Sequence, residues 1–322
     1  MKMIHKLICA SAASLLFSFN TSVAQSEYPA RPITFLVPFS PGSGPDTLAR
    51  SLSSIMSDKL GKPLVIDNRP GAGGNIGSQL LAKADANGYT IGMIANAFAI
   101  SPSLYKNLAF DSLKDFQRIC LVANGALVLV TKPSLGVNDL DGFLKLARTK
   151  ELTYGSPGNG TPHHLAGALL EKLSGTQLLH VPYSGQAGAT VASISGEVDA
   201  GFLALQVAAP LIKEGRLTAI ATSAARPSAL LPSVPTMEAA GLKGFNVQLW
   251  FGILSPAGVN EKVTNRLENA CEQAVTDPKL NEVLATNGLE LEYLPAKEFT
   301  ELIRSDIDKW STVIKEAKVV VN

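Results

Sequence analysis

Excess charge of either sign is the first thing missing. The 322-residue chain carries 28 Lys and Arg against 27 Asp and Glu. Its field therefore gives no reason to expect nucleic acid or an anionic membrane surface as a partner. Cysteine is scarce. Cys9 lies in an N-terminal apolar run, Cys120 in an apolar strand-like run and Cys271 in a helical pattern. Two buried free thiols is the plain reading of the later pair. A disulfide in an oxidising compartment stays open, because spacing alone does not bring two thiols within bonding distance. Histidine is almost as rare: beyond the N-terminus there are His163, His164 and His180. Neighbours on a helix point about 100° apart, so the first two cannot chelate one ion together, and no metal is expected. No G-K-[ST] phosphate loop, no internal repeat and no low-complexity tract occurs.

Long apolar runs are missing too, apart from the N-terminus. "LICASAASLLFSF" follows Lys2 and Lys6, and "SVAQ" places Ser22 and Ala24 at small-residue cleavage positions. Residues 1–24 read as a secretory signal peptide cut near Ala24/Gln25, which predicts export to the periplasm. Cys9 sits inside the apolar run rather than just after it, which argues against a lipoprotein. Without the leader, 26 basic residues face 27 acidic ones. The remaining ~298 residues suit about two domains and should be soluble.

What fills the chain is alternation. "ITFLVPF" precedes a pattern with Leu48, Leu52, Met56 and Leu60 on one face and Gly61 as a stop. "LTYGS" precedes a helix with Leu165, Leu169 and Leu173 on one face and Gly175 behind it. "LLHVPY" and "VDAGFLAL" each lead into further helices. Such order predicts an α/β fold with largely parallel sheets. After residue 225, a proline-rich stretch reads as a long connection. A strand, "VQLWFGILSP", and two helical patterns follow it. The last pattern carries Phe299, Ile303, Ile307, Trp310 and Ile314 on one face.

Ligands of open α/β sheets bind at the carboxyl ends of strands, so the loops there carry the functional reading. "PFSPGSGPD" (38–46) places Gly42 and Gly44 before a helix start that Pro45 suits. Its N–H groups and dipole suit an anion. Asp46 either holds the helix, with Arg50 four residues on, or faces the cleft. "RPGAGGNIG" fails the dinucleotide fingerprint, since Ile76 stands where G-x-G-x-x-G requires glycine. "YGSPGNGTPHHLAG" offers Ser156, Gly158, Asn159 and Thr161 at a second helix start, with Thr161 as N-cap. His164 is a pocket contact or a capping and packing residue. "YSGQ" (183–186) opens a third helix, and its "SGQAG" is not a nucleophile elbow. Asp199 is either a turn acid or a cleft acid. The loops at 38–46, 155–161 and 183–186 hold neither Lys nor Arg. They predict a cleft that holds a carboxylate through neutral dipoles and releases it without stranding a buried charge.

Eight stretches carry a resemblance, in order, over nearly all of the chain after the leader. They include "YPARPITFLVPFSPGSGPDTLAR", "VIDNRPGAGGNIG", "KADANGYTIGM", "YGSPGNGTPHHLAG", "HVPYSGQAGATVASISGEVDAGF" and "WFGILSPAG". In them the sequence resembles the solute-binding proteins of tripartite tricarboxylate transporters, the Bordetella uptake (Bug) family. The resemblance implies a two-lobed periplasmic binding protein-like fold of type II. Each lobe would be a mostly parallel sheet flanked by helices, with the ligand cleft between them. It implies lobe I at residues 26–124 plus 226–322 and lobe II at 125–225. It implies a monomer without cofactor that closes on a small organic carboxylate and passes it to a membrane transporter, or serves a sensor kinase. The implied contacts are Phe39, Ser40, Gly42 and Ser43 in the first loop, Asn96 and Ala97 in another, then Ser156 to Thr161 and Tyr183, Ser184 and Gly185. Ser43 departs from the family's run of glycines and adds a hydroxyl there. Phe39 and Leu205 stand where ligand identity would be read. The reading from a different class is a secreted hydrolase that uses one of these loops.

Overall fold

The computed structural model describes residues 28–285, 289–317 and 319. The leader lies outside the described residues. The chain runs β1(Ile33–Val37), α1(Gly44–Leu60), β2(Leu64–Asn68), α2(Asn75–Ala82), β3(Thr90–Ala95), α3(Ala97–Leu104) and β4(Phe116–Thr131). It continues α4(Leu140–Ala147), β5(Leu152–Ser156), α5(Pro162–Ser174), β6(Leu178–Pro182), α6(Gln186–Ser195), β7(Ala200–Ala204), α7(Leu205–Lys213) and β8(Thr218–Thr222). It ends β9(Gln248–Pro256), α8(Glu261–Val275), α9(Pro278–Ala285), β10(Leu289–Pro295) and α10(Ala296–Glu316).

Two lobes share one strand. In the first, β1 pairs in parallel with β2 and β3, and β3 pairs antiparallel with β9. In the second, β5 pairs in parallel with β6 and β7. The 16-residue β4 belongs to both. Its first part pairs with β9 and β10, and from Leu127 onward it pairs with β7 and β8. The parallel strands end on one edge of each sheet, so the loops of interest gather there. Antiparallel strands fill the junction, so the sheets are less uniformly parallel than the alternation predicts.

Local chemistry explains the elements that build the site. In α1, Leu48, Leu52, Met56 and Leu60 are buried, Pro45 lies in the first turn, and Gly61 caps the end at φ +72°. In α5, Thr161 Oγ1 accepts from the His164 N–H, and Gly175 ends the helix in the left-handed region. In α10, Phe299, Ile303, Trp310 and Ile314 are buried, and Asp306 accepts from Trp250 Nε1 at 2.6 Å. The free-thiol reading is corrected: Cys120 of β4 and Cys271 of α8 form a disulfide, both ends fully buried. The bond joins points 151 residues apart, and such contacts leave no local pattern. No helix among the described residues is long and apolar enough to cross a membrane.

Candidate functional site

The β1–α1 loop is organised by Asp46, which is only 2% exposed. Its carboxylate accepts from the Gly42 N–H at 2.8 Å, Arg50 Nε at 2.9 Å and Asn68 Nδ2 at 2.9 Å. Burial opposes the charge, but these donors, Arg50 the strongest, hold the carboxyl below the usual range. Asn68 also donates to the Phe39 carbonyl at 3.0 Å. Asp46 thus ties the loop to α1 and β2 and does not face the cleft. Gly42 commits its N–H to Asp46 in this structure. Its φ of +77° serves the turn. The Ser43 N–H bonds the Ser40 carbonyl at 3.2 Å. Among the described residues, the N–H groups of Gly44 and Asp46 meet no acceptor, and Ser43 Oγ is buried without a partner.

Beside this loop, Phe39, Ala97, Gly73, Gly74, Asn75 and Ser78 border a void of about 10 Å³, roughly one water. Asn96 is corrected. Its side chain is 1% exposed, donates to the Gln248 carbonyl at 2.6 Å and accepts from the Trp250 N–H at 2.9 Å. It fastens β3 to β9, and only the α3 start behind it faces the cleft.

The 155–164 loop is built differently. Ser156 is fully buried; its Oγ lies 2.7 Å from His180 Nε2 and bonds the Gly158 backbone. The Gly158 carbonyl also accepts from Thr161 Oγ1 at 2.8 Å. His164 Nδ1 accepts from the Gly160 N–H at 3.0 Å, and its ring stacks on His180 at 3.8 Å. Burial, with the other ring's repulsion, pushes His164 down to about 3, and burial pushes His180 down to about 4. Both rings are neutral near pH 7. In this structure Ser156 and His164 brace the loop from beneath, which for His164 is its capping and packing reading. Asn159 is exposed above them.

At the β6–α6 turn, the Tyr183 N–H bonds the Ser156 carbonyl and its hydroxyl donates to Glu197 at 2.9 Å. Gly185, at φ +93°, bonds the Pro157 carbonyl and starts α6, and Ser184 is exposed beside it. Asp199 lies at the wrong end for a ligand. It precedes β7, pairs with Lys132 at 2.8 Å and accepts from the Thr153 N–H and Oγ1. Thr153 opens β5, so this group closes the edge opposite the cleft.

The two lobes meet at the helix starts. A Cβ placed on Gly44 would lie 3.6 Å from Nε2 of Gln206, the second residue of α7. Among the described residues, Gln206 Oε1 is buried without a partner, as are both ring nitrogens of His163 in the first turn of α5. Burial pushes His163 down to about 4; the Gln186 amide beside it opposes this without a well-formed bond. Leu205, adjoining Gln206, lines a cavity of about 630 Å³ at the junction, with Asn124, Gly125, Gln248, Arg226 and Glu290. Arg226 brings a cation that the loop reading lacked, but Glu290 pairs with it at 2.9 Å. Sequence reasoning gave no role to Gln206 or His163, which this structure brings to the lobe junction and the α5 start. Gln206 follows a strand and opens a helix, the same grammar as the other loops, but without a glycine to mark it.

Comparison with known proteins gives the family and the fold. Residues 48–319 match the tripartite tricarboxylate transporter family receptor, TctC. A protein of Pseudomonas sp. (strain P51), "UPF0065 protein in tcbD-tcbE intergenic region", is 34% identical over 321 residues, covering 99% of this chain and 96% of that one. The structure of R. palustris Rpa4515 with adipate superposes with a TM-score of 0.82 at 27% identity, over 91% of this chain and 99% of that one. MatC from Rhodopseudomonas palustris with bound malate gives 0.77 at 28% identity, over 89% and 100%. With the two-lobed fold and the match over most of its length, the chain belongs to the tripartite tricarboxylate transporter receptor family, whose members are solute-binding receptors.

Proposed function

We propose that this protein is a periplasmic solute-binding receptor, not an enzyme. It captures a small organic carboxylate by lobe closure and delivers it to a membrane transporter of the tripartite tricarboxylate type. The observation that carries the reading is the facing of helix starts across the lobes, with Gly44 of α1 against Gln206 of α7. The unpaired N–H groups there suit a carboxylate, which is well held by two or three such donors. The adipate and malate bound by the two solved relatives belong to the same chemical class. Export with cleavage near Ala24/Gln25 fits the buried disulfide, a bond that persists in oxidising compartments. We place the lobes at 26–124 plus 226–322 and at 125–225, since β4 changes partners beside that first boundary.

A melting assay against a panel of dicarboxylates, aromatic acids, amino acids and nucleotides tests the reading. A bound carboxylate at 100 times its Kd should stabilise the protein by about 2.7 kcal/mol. For a chain of this size that is roughly 5–10 °C. No shift with any carboxylate, together with product formed from an ester or nucleotide, would overturn it.

A further inference from the structure

Two side chains, one from each lobe, stand out because their needs differ from those of a carboxylate. Gln206 Oε1 and Ser43 Oγ are buried, and among the described residues no protein group satisfies either. They sit on either side of the contact between Gly44 and Gln206, and Leu205, next to Gln206, lines the junction cavity. An ionised carboxylate only accepts hydrogen bonds, so it can satisfy a hydroxyl or an amide N–H but never an amide oxygen. With Nε2 of Gln206 turned toward Gly44, Oε1 is left for a donor, and an O–H or N–H on the ligand can supply it. An alcohol or a primary amide can do so and accept from Ser43 as well.

We infer that Ser43 and Gln206 form a specificity subsite, completed only when the lobes close, for an uncharged donor–acceptor group on the ligand. The favoured ligands are then carboxylates that also carry a hydroxyl or carboxamide, rather than plain dicarboxylates. A site built to hydrogen-bond a group discriminates strongly against the analogue lacking it, because its own polar atoms are left unpaired. This inference rests on the carboxylate reading above.

Calorimetric titration of the processed protein with matched acids tests it. Malate against succinate and 2-hydroxyglutarate against glutarate isolate the hydroxyl; succinamate against succinate isolates the amide. In at least one pair the donor-bearing acid should bind about tenfold tighter or more. Gln206→Leu and Ser43→Ala should shrink that ratio towards one, the donor-bearing acid losing more affinity than its plain partner. Gln206→Met serves as the alternative if the leucine variant melts early. Equal affinities across every pair, or a ratio untouched by either substitution, would overturn the inference while leaving the carboxylate reading intact. Binding of none of these acids, nor of any other carboxylate, would remove both.

Discussion

The 38–46 loop and the 155–164 loop begin alike and end as different devices. Each leaves a parallel strand, passes through glycines and opens a helix on a proline. In the first, one buried carboxylate gathers the loop, and the Ser43 hydroxyl is left unpaired toward the other lobe. In the second, Ser156, Gly158, Gly160, Thr161 and His164 satisfy one another over the ring of His180. The first loop leaves its Ser43 hydroxyl unpaired, whereas the second pairs its own polar groups with one another, the ring of His163 excepted. What separates them is a partner from elsewhere in the chain: Asn68 reaches Asp46 across 22 residues, and His180 reaches Ser156 across 24.

The hardest blow to this contrast should come from Asp46→Ala. It leaves three donors without their acceptor, and hydrogen bonds to a charge are worth about 1.5–3 kcal/mol each before water substitutes. With Arg50 largely exposed, the net loss should be about 2–3 kcal/mol in urea unfolding. Ligand affinity should fall as well, since the loop's shape depends on that one carboxylate.

Acid probes the second loop next. His163, His164 and His180 titrate near 4, 3 and 4 when folded but near 6.5 when unfolded. The unfolded chain therefore binds more protons, and the stability these rings contribute is intact above pH 6.5. It drains as pH falls from 6.5 towards 4. Asp46 and Asp199, both held low, add a further loss only below the ordinary carboxylate range. Melting temperature followed from pH 7.5 to 4 should drop across that window, and His180→Gln should flatten the drop. A wild-type curve level down to pH 4 would contradict the buried neutral pair.

Smaller still is Ser156→Ala, expected to cost about 1 kcal/mol of stability with Kd unchanged within about twofold. Ser40→Ala and Asn159→Ala change exposed side chains and should stay within about 0.5 kcal/mol.

Much of the scaffold was legible because it is written in local periodicity. The spacing of Leu48, Leu52, Met56 and Leu60, the stops at Gly61 and Gly175, and the cap at Thr161 all obey rules that span four residues or fewer. The site was legible only as a set of loops. Asn96 was read as a contact, yet it turns inward to Gln248 and Trp250, more than 150 residues away. Asp199 has the acidity a site could use but precedes its strand rather than following it. Ser156 reads as a cleft residue and His164 as either a pocket contact or a packing residue, and a distant histidine decides which way they face. The α9 and β10 elements, and the Cys120–Cys271 bond, depend likewise on packing across the chain.

A crystal structure of the protein with a bound carboxylate tests the contrast most directly. Ligand oxygens should lie within about 3.2 Å of the Gly44 or Asp46 N–H or of Ser43 Oγ, and Ser156 and His164 should keep their present partners beneath the second loop. A ligand bonded to Ser156 Oγ or to the His164 ring, with Ser43 untouched, would contradict the account.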